Sequence, residues 1–295
     1  MTTRRLQILI FSCLGILLFG LSSWLVYNSL QPATHFDGQR AYQDVLAQVT
    51  LGARTPGSVA HARTVAYIQQ ELEKAGWKVQ IQTTEWDGFS VQNITASRSE
   101  VTPRIVVGAH YDSRLLADQD PGPGRSSPVP GANDGASGVS VLLELARTLP
   151  SDSVPVWLVF FDAEDNGGLE NRQWIMGSRA FVAALMEKPQ AVIIVDMVGD
   201  ADLNLFIERN SDAALTAEIW AQAAALGYEK FFIATPKYDM IDDHTPFLEA
   251  GIPAVDIIDF DYPYWHTSAD TADKVSAKSL QAVGETMWAW IESQK

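Results

Sequence analysis

Cysteine is all but missing: the 295 residues contain one, Cys13. It sits inside an apolar run, so the rest of the chain can form neither disulfides nor thiolate metal sites. Any metal must therefore be held by His, Asp and Glu. Basic residues are scarce as well. Twenty-one Lys and Arg face 36 Asp and Glu, which gives a formal net charge of −15 and a pI of about 4.6. A surface of that sign repels phosphate backbones and argues against nucleic-acid binding. Internal repeats, low-complexity tracts and Gly/Ser linkers are also lacking, which favours one domain over two. At 47% hydrophobic and 19% charged residues, the composition is globular and the chain long enough for one large core.

The N-terminus breaks this even composition. Arg4 and Arg5 precede an uncharged run from Ile8 to Val26, rich in Leu, Ile and Phe. About 20 apolar residues suffice to cross a bilayer as a helix. Arginines on the N-terminal flank place that end in the cytoplasm. The competing reading is a cleaved signal peptide, with Gly20-Leu21-Ser22 as a small-x-small site. The apolar Trp24-Leu25-Val26 beyond it suits an uncleaved anchor better. The expected layout is a cytoplasmic stub and membrane helix over 1–28, a linker over 29–36 and a folded domain over 37–295. That makes a single-pass protein of the cell membrane with its domain outside the cytoplasm; secretion after cleavage is the alternative.

From Asp37 onward, helical and strand patterns alternate. Val65, Ile68, Leu72 and Ala75 recur at helical spacing within Ala60–Ala75, and Gly76 ends that helix. Short apolar runs rich in β-branched and aromatic residues read as buried strands: Val79–Ile81, Ile105–Val107, Val156–Phe161, Val192–Val195, Leu203–Ile207 and Ala254–Ile258. Helical stretches lie between them at Gly138–Thr148, Ser178–Met186, Ala213–Leu226 and Ser276–Glu292. The alternation predicts an α/β fold, a mainly parallel mixed sheet flanked by helices on both faces. Ligands of such sheets bind beyond the carboxyl ends of the strands.

Chemistry-bearing residues gather at those ends. His110 follows one strand, Glu164 and Asp165 a second, Asp196 a third, and His266 lies in the loop after a fourth. Turn-forming Asp is common at strand ends, but four coincident cases are harder to dismiss. With Asp134 of Asn133-Asp134-Gly135, these positions offer two imidazoles and three carboxylates besides Glu164. Two zinc ions bridged by one carboxylate would use such a set. Glu164, beside a ligand, is free to act as general base. Asp112, two residues past His110, could orient that imidazole from behind. Taken singly, a His at a strand end or a Glu-Asp pair is more often structural or solvated, and His35 and His61 are read that way.

The ordered segments Gly108-Ala109-His110-Tyr111-Asp112, Gly131–Gly138, Phe161–Asp165, Val195–Gly199 and Trp265-His266-Thr267 resemble the zinc-exopeptidase superfamily. That superfamily contains leucine-type aminopeptidases and glutaminyl-peptide cyclotransferases. The likeness runs from Arg54-Thr55-Pro56-Gly57-Ser58 to the last helix. It implies a zinc enzyme acting on the amino-terminal end of peptides. In the aminopeptidases, the positions of His110, Asp134, Asp165, Asp196 and His266 bind two zincs with Asp134 bridging, and that of Glu164 activates the water. In the cyclotransferases, the positions of Asp134, Asp165 and His266 hold one zinc. Asp165 is a departure, since many relatives have Glu there.

Three features bring the chain closest to the cyclase branch. Asp242-Asp243-His244 resembles its Asp-Asp-His segment, and Asp243 would join Glu164 and Asp196 in a carboxylate network. Trp265 matches a tryptophan lining the cyclase substrate pocket, and Trp174 stands near another pocket aromatic; core packing is the alternative for both. The complete two-metal set favours an aminopeptidase instead. A third class, binding ectodomains that have lost ligands and base, is disfavoured because every position is filled.

Overall fold

A computed structural model describes residues 34–295. The expected membrane helix lies outside the described residues, among which no helix is long and apolar enough to cross a membrane. The chain divides into two units, Met1–His35 and Phe36–Lys295, and every element below belongs to the second.

The helices are α1 (Gly38–Leu51), α2 (Val59–Lys74), α3 (Ala136–Thr148), α4 (Met176–Ala183), α5 (Ala213–Ala225), α6 (Thr245–Glu249) and α7 (Ala277–Ser293). The strands are β1 (Lys78–Trp86), β2 (Phe89–Ser97), β3 (Ile105–His110), β4 (Val156–Phe161), β5 (Ala191–Asp196), β6 (Leu205–Ile207), β7 (Phe232–Pro236) and β8 (Ala254–Ile258). Local chemistry starts several helices: the Asp37 carboxylate accepts from the N–H groups of Gln39 and Arg40, and Ser58 caps α2 through His61 N.

Six strands form one sheet in the order β1-β2-β4-β3-β5-β8. The last four are mutually parallel, while β1 and β2 pair antiparallel with each other and β2 with β4. The mainly parallel mixed sheet is as expected. Leu205–Ile207 departs from the expectation: it pairs only with β7, in a separate two-stranded sheet. The expected helix over Ser178–Met186 starts earlier and stops at Ala183, leaving Met186 almost fully exposed.

Alternation along the buried strands splits the core in two. Val107, Ala109, Ile193, Val195, Val255 and Ile257 face one side with α1, α3 and α7. Val106, Val159, Phe161, Val192 and Ile194 face the other, against Phe181 of α4 and Phe247 of α6. Both faces of the sheet are thus covered, and its carboxyl edge is left to the loops.

Candidate metal centre and active site

Parallel pairing decides where the polar groups emerge. His110 is the last residue of β3 and Asp196 the last of β5, and His110 is in register with Phe161 at the end of β4. Glu164 and Asp165 lie just past β4, Asp134 just before α3, and His266 in the loop after β8. Three non-glycine residues with positive φ are site residues or their immediate neighbours: Ala163 (53°), Met197 (47°) and His266 (55°). Left-handed backbone is costly for such residues and recurs at functional sites. Here it turns the chain where Glu164, Asp196 and His266 are presented.

The five expected ligands meet. His110 Nε2 lies 3.1 Å from Asp134 Oδ1 and 3.0 Å from Asp196 Oδ1. His266 Nε2 lies 2.7 Å from Asp165 Oδ1 and 3.8 Å from Asp134 Oδ2. Among the described residues, two groups could hold a metal ion: His110, Asp134 and Asp196, and Asp134, Asp165 and His266. Asp134 belongs to both and turns one oxygen toward each histidine, the geometry of a bridging carboxylate. Asp134 Oδ2 and Asp165 Oδ2 are buried without a hydrogen-bond partner. Buried unpaired acceptors are costly and call for a cation. A set of imidazole nitrogens and carboxylate oxygens with no sulfur suits zinc.

The surroundings hold this cluster in place. Asp112, fully buried, accepts from Glu164 N at 3.1 Å, Asp165 N at 3.3 Å and Asn166 Nδ2 at 3.0 Å, and lies 3.4 Å from His110 Nδ1. Arg54, also fully buried, donates to the carbonyls of Tyr111, Pro130, Gly131 and Asp134. It brings a positive charge beneath the acidic cluster and ties the Asp134 loop to β3. Asp270 accepts from the N–H groups of Asn133 and Asp134 and from Tyr262 Oη. A side chain on Gly135 would sit 2.5 Å from His110 O and 2.6 Å from its Cε1, so only glycine leaves room for that ring.

Burial and neighbouring charge raise some of these acids, while His110 holds Asp134 and Asp112 below the ordinary range. Burial pushes Asp196 up to about 7 and Asp165 up to about 6, the latter with help from the Asp134 charge. Glu164 is held well above the ordinary carboxylate range, first by burial and then by Asp242, Asp165 and Asp243, although His110 opposes them. A raised carboxyl in a cleft has the character of a proton-transferring group. Burial would lower His110, but Asp196, Asp112 and Asp134 outweigh it and carry it well above an ordinary histidine.

A cavity of about 310 Å³ opens onto the cluster. Glu164, Asp134, Asp165, Asp196 and His266 line it, together with Trp174 and Trp265. Trp265 stacks on His266 with centroids 3.7 Å apart, and Trp174 lies parallel to the same ring at 6.0 Å. Both expected pocket tryptophans are therefore at the site. Of the Asp-Asp-His segment, Asp242 lines the cavity, and Asp243 does not. Asp243 is buried behind it with neither oxygen hydrogen-bonded.

Sequence reasoning passed over Asp242, Arg54, Asp270, Arg114 and Asp118. Asp242 had a signal, as the first residue of the segment already singled out. His61 is structural, as read: its Nε2 lies 2.7 Å from Asp162 Oδ1 and the ring is buried. Asn93-Ile94-Thr95, a glycosylation sequon by pattern, lies in β2 with Asn93 fully buried, its amide donating to Gln82 and Gly177. The Pro- and Gly-rich loop over 121–128 falls between His110 and Asp134 in the sequence, a position that would let it border the site, but it does not line the cavity; its neighbour Gln119 donates to His266 O at 3.2 Å.

A sheet of this topology with this cluster at its carboxyl edge defines a zinc-exopeptidase-like α/β protein. The family model for peptidase family M28 matches residues 91–291, and the chain belongs to that family. Proteins named as glutaminyl cyclases and as aminopeptidases are both among those this chain resembles. It is 26% identical to a glutaminyl-peptide cyclotransferase-like protein of Bos taurus over 266 residues, covering 75% of this chain and 67% of that one. Porphyromonas gingivalis glutaminyl cyclase superposes with a TM-score of 0.83 at 34% identity, over 89% of this chain and 100% of the other. A leucine aminopeptidase precursor from Bacteroides thetaiotaomicron superposes equally well, with a TM-score of 0.83 at 32% identity over 90% and 99%.

Proposed function

We propose that this chain is a zinc-dependent glutaminyl-peptide cyclotransferase, converting N-terminal Gln to pyroglutamate with loss of ammonia. The observation that carries this reading is that Asp242 lines one cavity with Glu164 and Asp196 and with the tryptophans Trp174 and Trp265. Asp134, Asp165 and His266 would hold zinc, and His110 and Asp196 complete a place for a second ion beside Asp134. Zinc bound there supplies a Lewis acid that polarises the reacting carbonyl. Glu164 takes a proton from the α-amine as its nitrogen attacks the side-chain amide carbon. The lactam C–N bond forms, the bond to the amide nitrogen breaks, and Glu164 returns the proton to departing ammonia. Asp196 and Asp242 flank the base and keep the proton within the acidic group. The tryptophan walls enclose the small side chain and exclude water that would compete as nucleophile.

The two complete ligand groups sharing Asp134 favour a second reading, a two-zinc aminopeptidase in which Glu164 deprotonates the attacking water. Ammonia release from a Gln-initiated peptide by the zinc-loaded protein tests the first reading, and no release would refute it.

We also propose that the apolar run Ile8–Val26 behind Arg4 and Arg5 anchors the chain in the cell membrane with the catalytic unit outside. Protease added to intact cells should then digest that unit; complete protection would contradict this.

A further inference from the structure

Arg114 follows β3 by four residues, is 4% exposed, and forms a fork on Asp118 through Nε–Oδ1 at 2.8 Å and Nη2–Oδ2 at 2.7 Å. Its third nitrogen, Nη1, donates to the backbone carbonyl of Asp165 at 2.9 Å. Asp118 in turn stands behind His266, with Oδ1 3.5 Å from Nδ1, the nitrogen opposite the one facing Asp165; this is an ion-pair distance, and Nδ1 is buried with no hydrogen-bond partner, which leaves Asp118 the carboxylate placed to take its proton. The guanidinium also lies 4.9 Å from the centre of the Trp174 ring, which runs parallel to the His266 ring.

We infer that Arg114 and Asp118 are positioning residues for one metal: the guanidinium aligns Asp118 behind His266 and fixes Asp165, so both ligands arrive in register. This rests on the metal reading of the site. An imidazole can offer Nε2 to a cation only when its proton is on Nδ1, and a carboxylate behind Nδ1 favours that tautomer and strengthens the ligand. A lone aspartate, a quarter exposed like Asp118, would sample many rotamers. The planar two-bond fork removes that freedom, and a lysine ammonium cannot reproduce it while also bonding Asp165. The arrangement parallels Asp112 behind His110, at 3.4 Å from that Nδ1. Each histidine of the cluster thus has its own carboxylate, and both come from the one loop after β3.

A simple loop staple would look similar, so the test must separate holding the loop from tuning the metal. Zinc is stripped from wild type, Asp118→Asn and Arg114→Lys, then titrated back against a chromophoric chelator, and the metal-free proteins are melted. The expected result is zinc binding weakened by roughly ten- to a hundredfold in both variants, with the metal-free melting temperature of Asp118→Asn close to wild type. Asp118 is partly exposed, so its variant keeps the test open should Arg114→Lys fail to fold. Variants that match wild-type zinc affinity, or lose it only in step with melting temperature, would overturn the inference alone. A wild type that takes up no zinc would overturn the metal reading and the inference together.

Discussion

Oδ1 of Asp112 accepts the backbone N–H of Glu164 at 3.1 Å, so the residue behind one histidine also fixes the proposed base. The same carboxylate holds Asp165 N and Asn166 Nδ2, which locks the whole turn after β4. Asp112→Ala should lower activity by roughly 10- to 100-fold and cost about 1–3 kcal/mol through the orphaned donors. Steady-state kinetics and thermal melts check both; a variant as active as wild type would show that Glu164 needs no such support.

Glu164→Gln should reduce turnover by about 10²- to 10⁴-fold, the usual worth of a general base, with zinc content intact. Asp134→Ala should lose metal and activity together, because both candidate groups depend on that carboxylate. Metal analysis beside the kinetics separates the two outcomes, and a Glu164→Gln protein with near-normal rates would remove Glu164 from the mechanism.

Gly135→Ala should also empty the site, since the added carbon falls within 2.7 Å of His110 Nε2. The expected result is a folded protein with lowered zinc content. Full zinc occupancy would mean that the His110 ring can move aside without cost.

The metal-free protein should become less stable as pH rises from about 4 toward 8. Asp165 at about 6, and Asp196, Asp270 and Asp259 at about 7, sit above ordinary aspartate because burial disfavours their charge. Each binds its proton more tightly folded than unfolded. Its contribution is whole below the unfolded value near 4 and is lost as pH climbs through 6 to 7. Zinc, by compensating the charge at Asp165 and Asp196, should flatten the slope. Melting temperatures at stepped pH, with and without zinc, test this; a metal-free protein that gains stability from pH 5 to 8 would contradict it.

Much of the fold was legible because β3, β4, β5 and β8 are apolar runs bounded by turns, and their shared direction follows from the helices between them. The β1–β2 hairpin was less visible. Its Asp87-Gly88 turn, with φ of 48° and 82°, is a known hairpin signal, but β2 mixes buried Asn93 and Thr95 with apolar residues and so lacks the run that marked the others. Helix α1 escaped for a similar reason, since polar Asp44 and Gln48 are part of its buried face. At the site, four of the five metal-ligand positions follow strands and could be listed from their ends, while Asp134, just before α3, came from the Asn133-Asp134-Gly135 segment. Which of Asp242 and Asp243 faces the cavity could not be read, because the turn before α6 decides it. Arg114 and Asp118 gave no signal, because their meaning depends on His266, about 150 positions away in the sequence.

The most direct test of the central claim offers the zinc-loaded protein two peptides at once, one beginning with Gln and one with Leu, followed by mass spectrometry. The cyclotransferase account predicts loss of ammonia from the Gln peptide with both chains otherwise uncut. Release of free Leu, with the Gln peptide failing to cyclise, would contradict it and make the chain an aminopeptidase built on the same site.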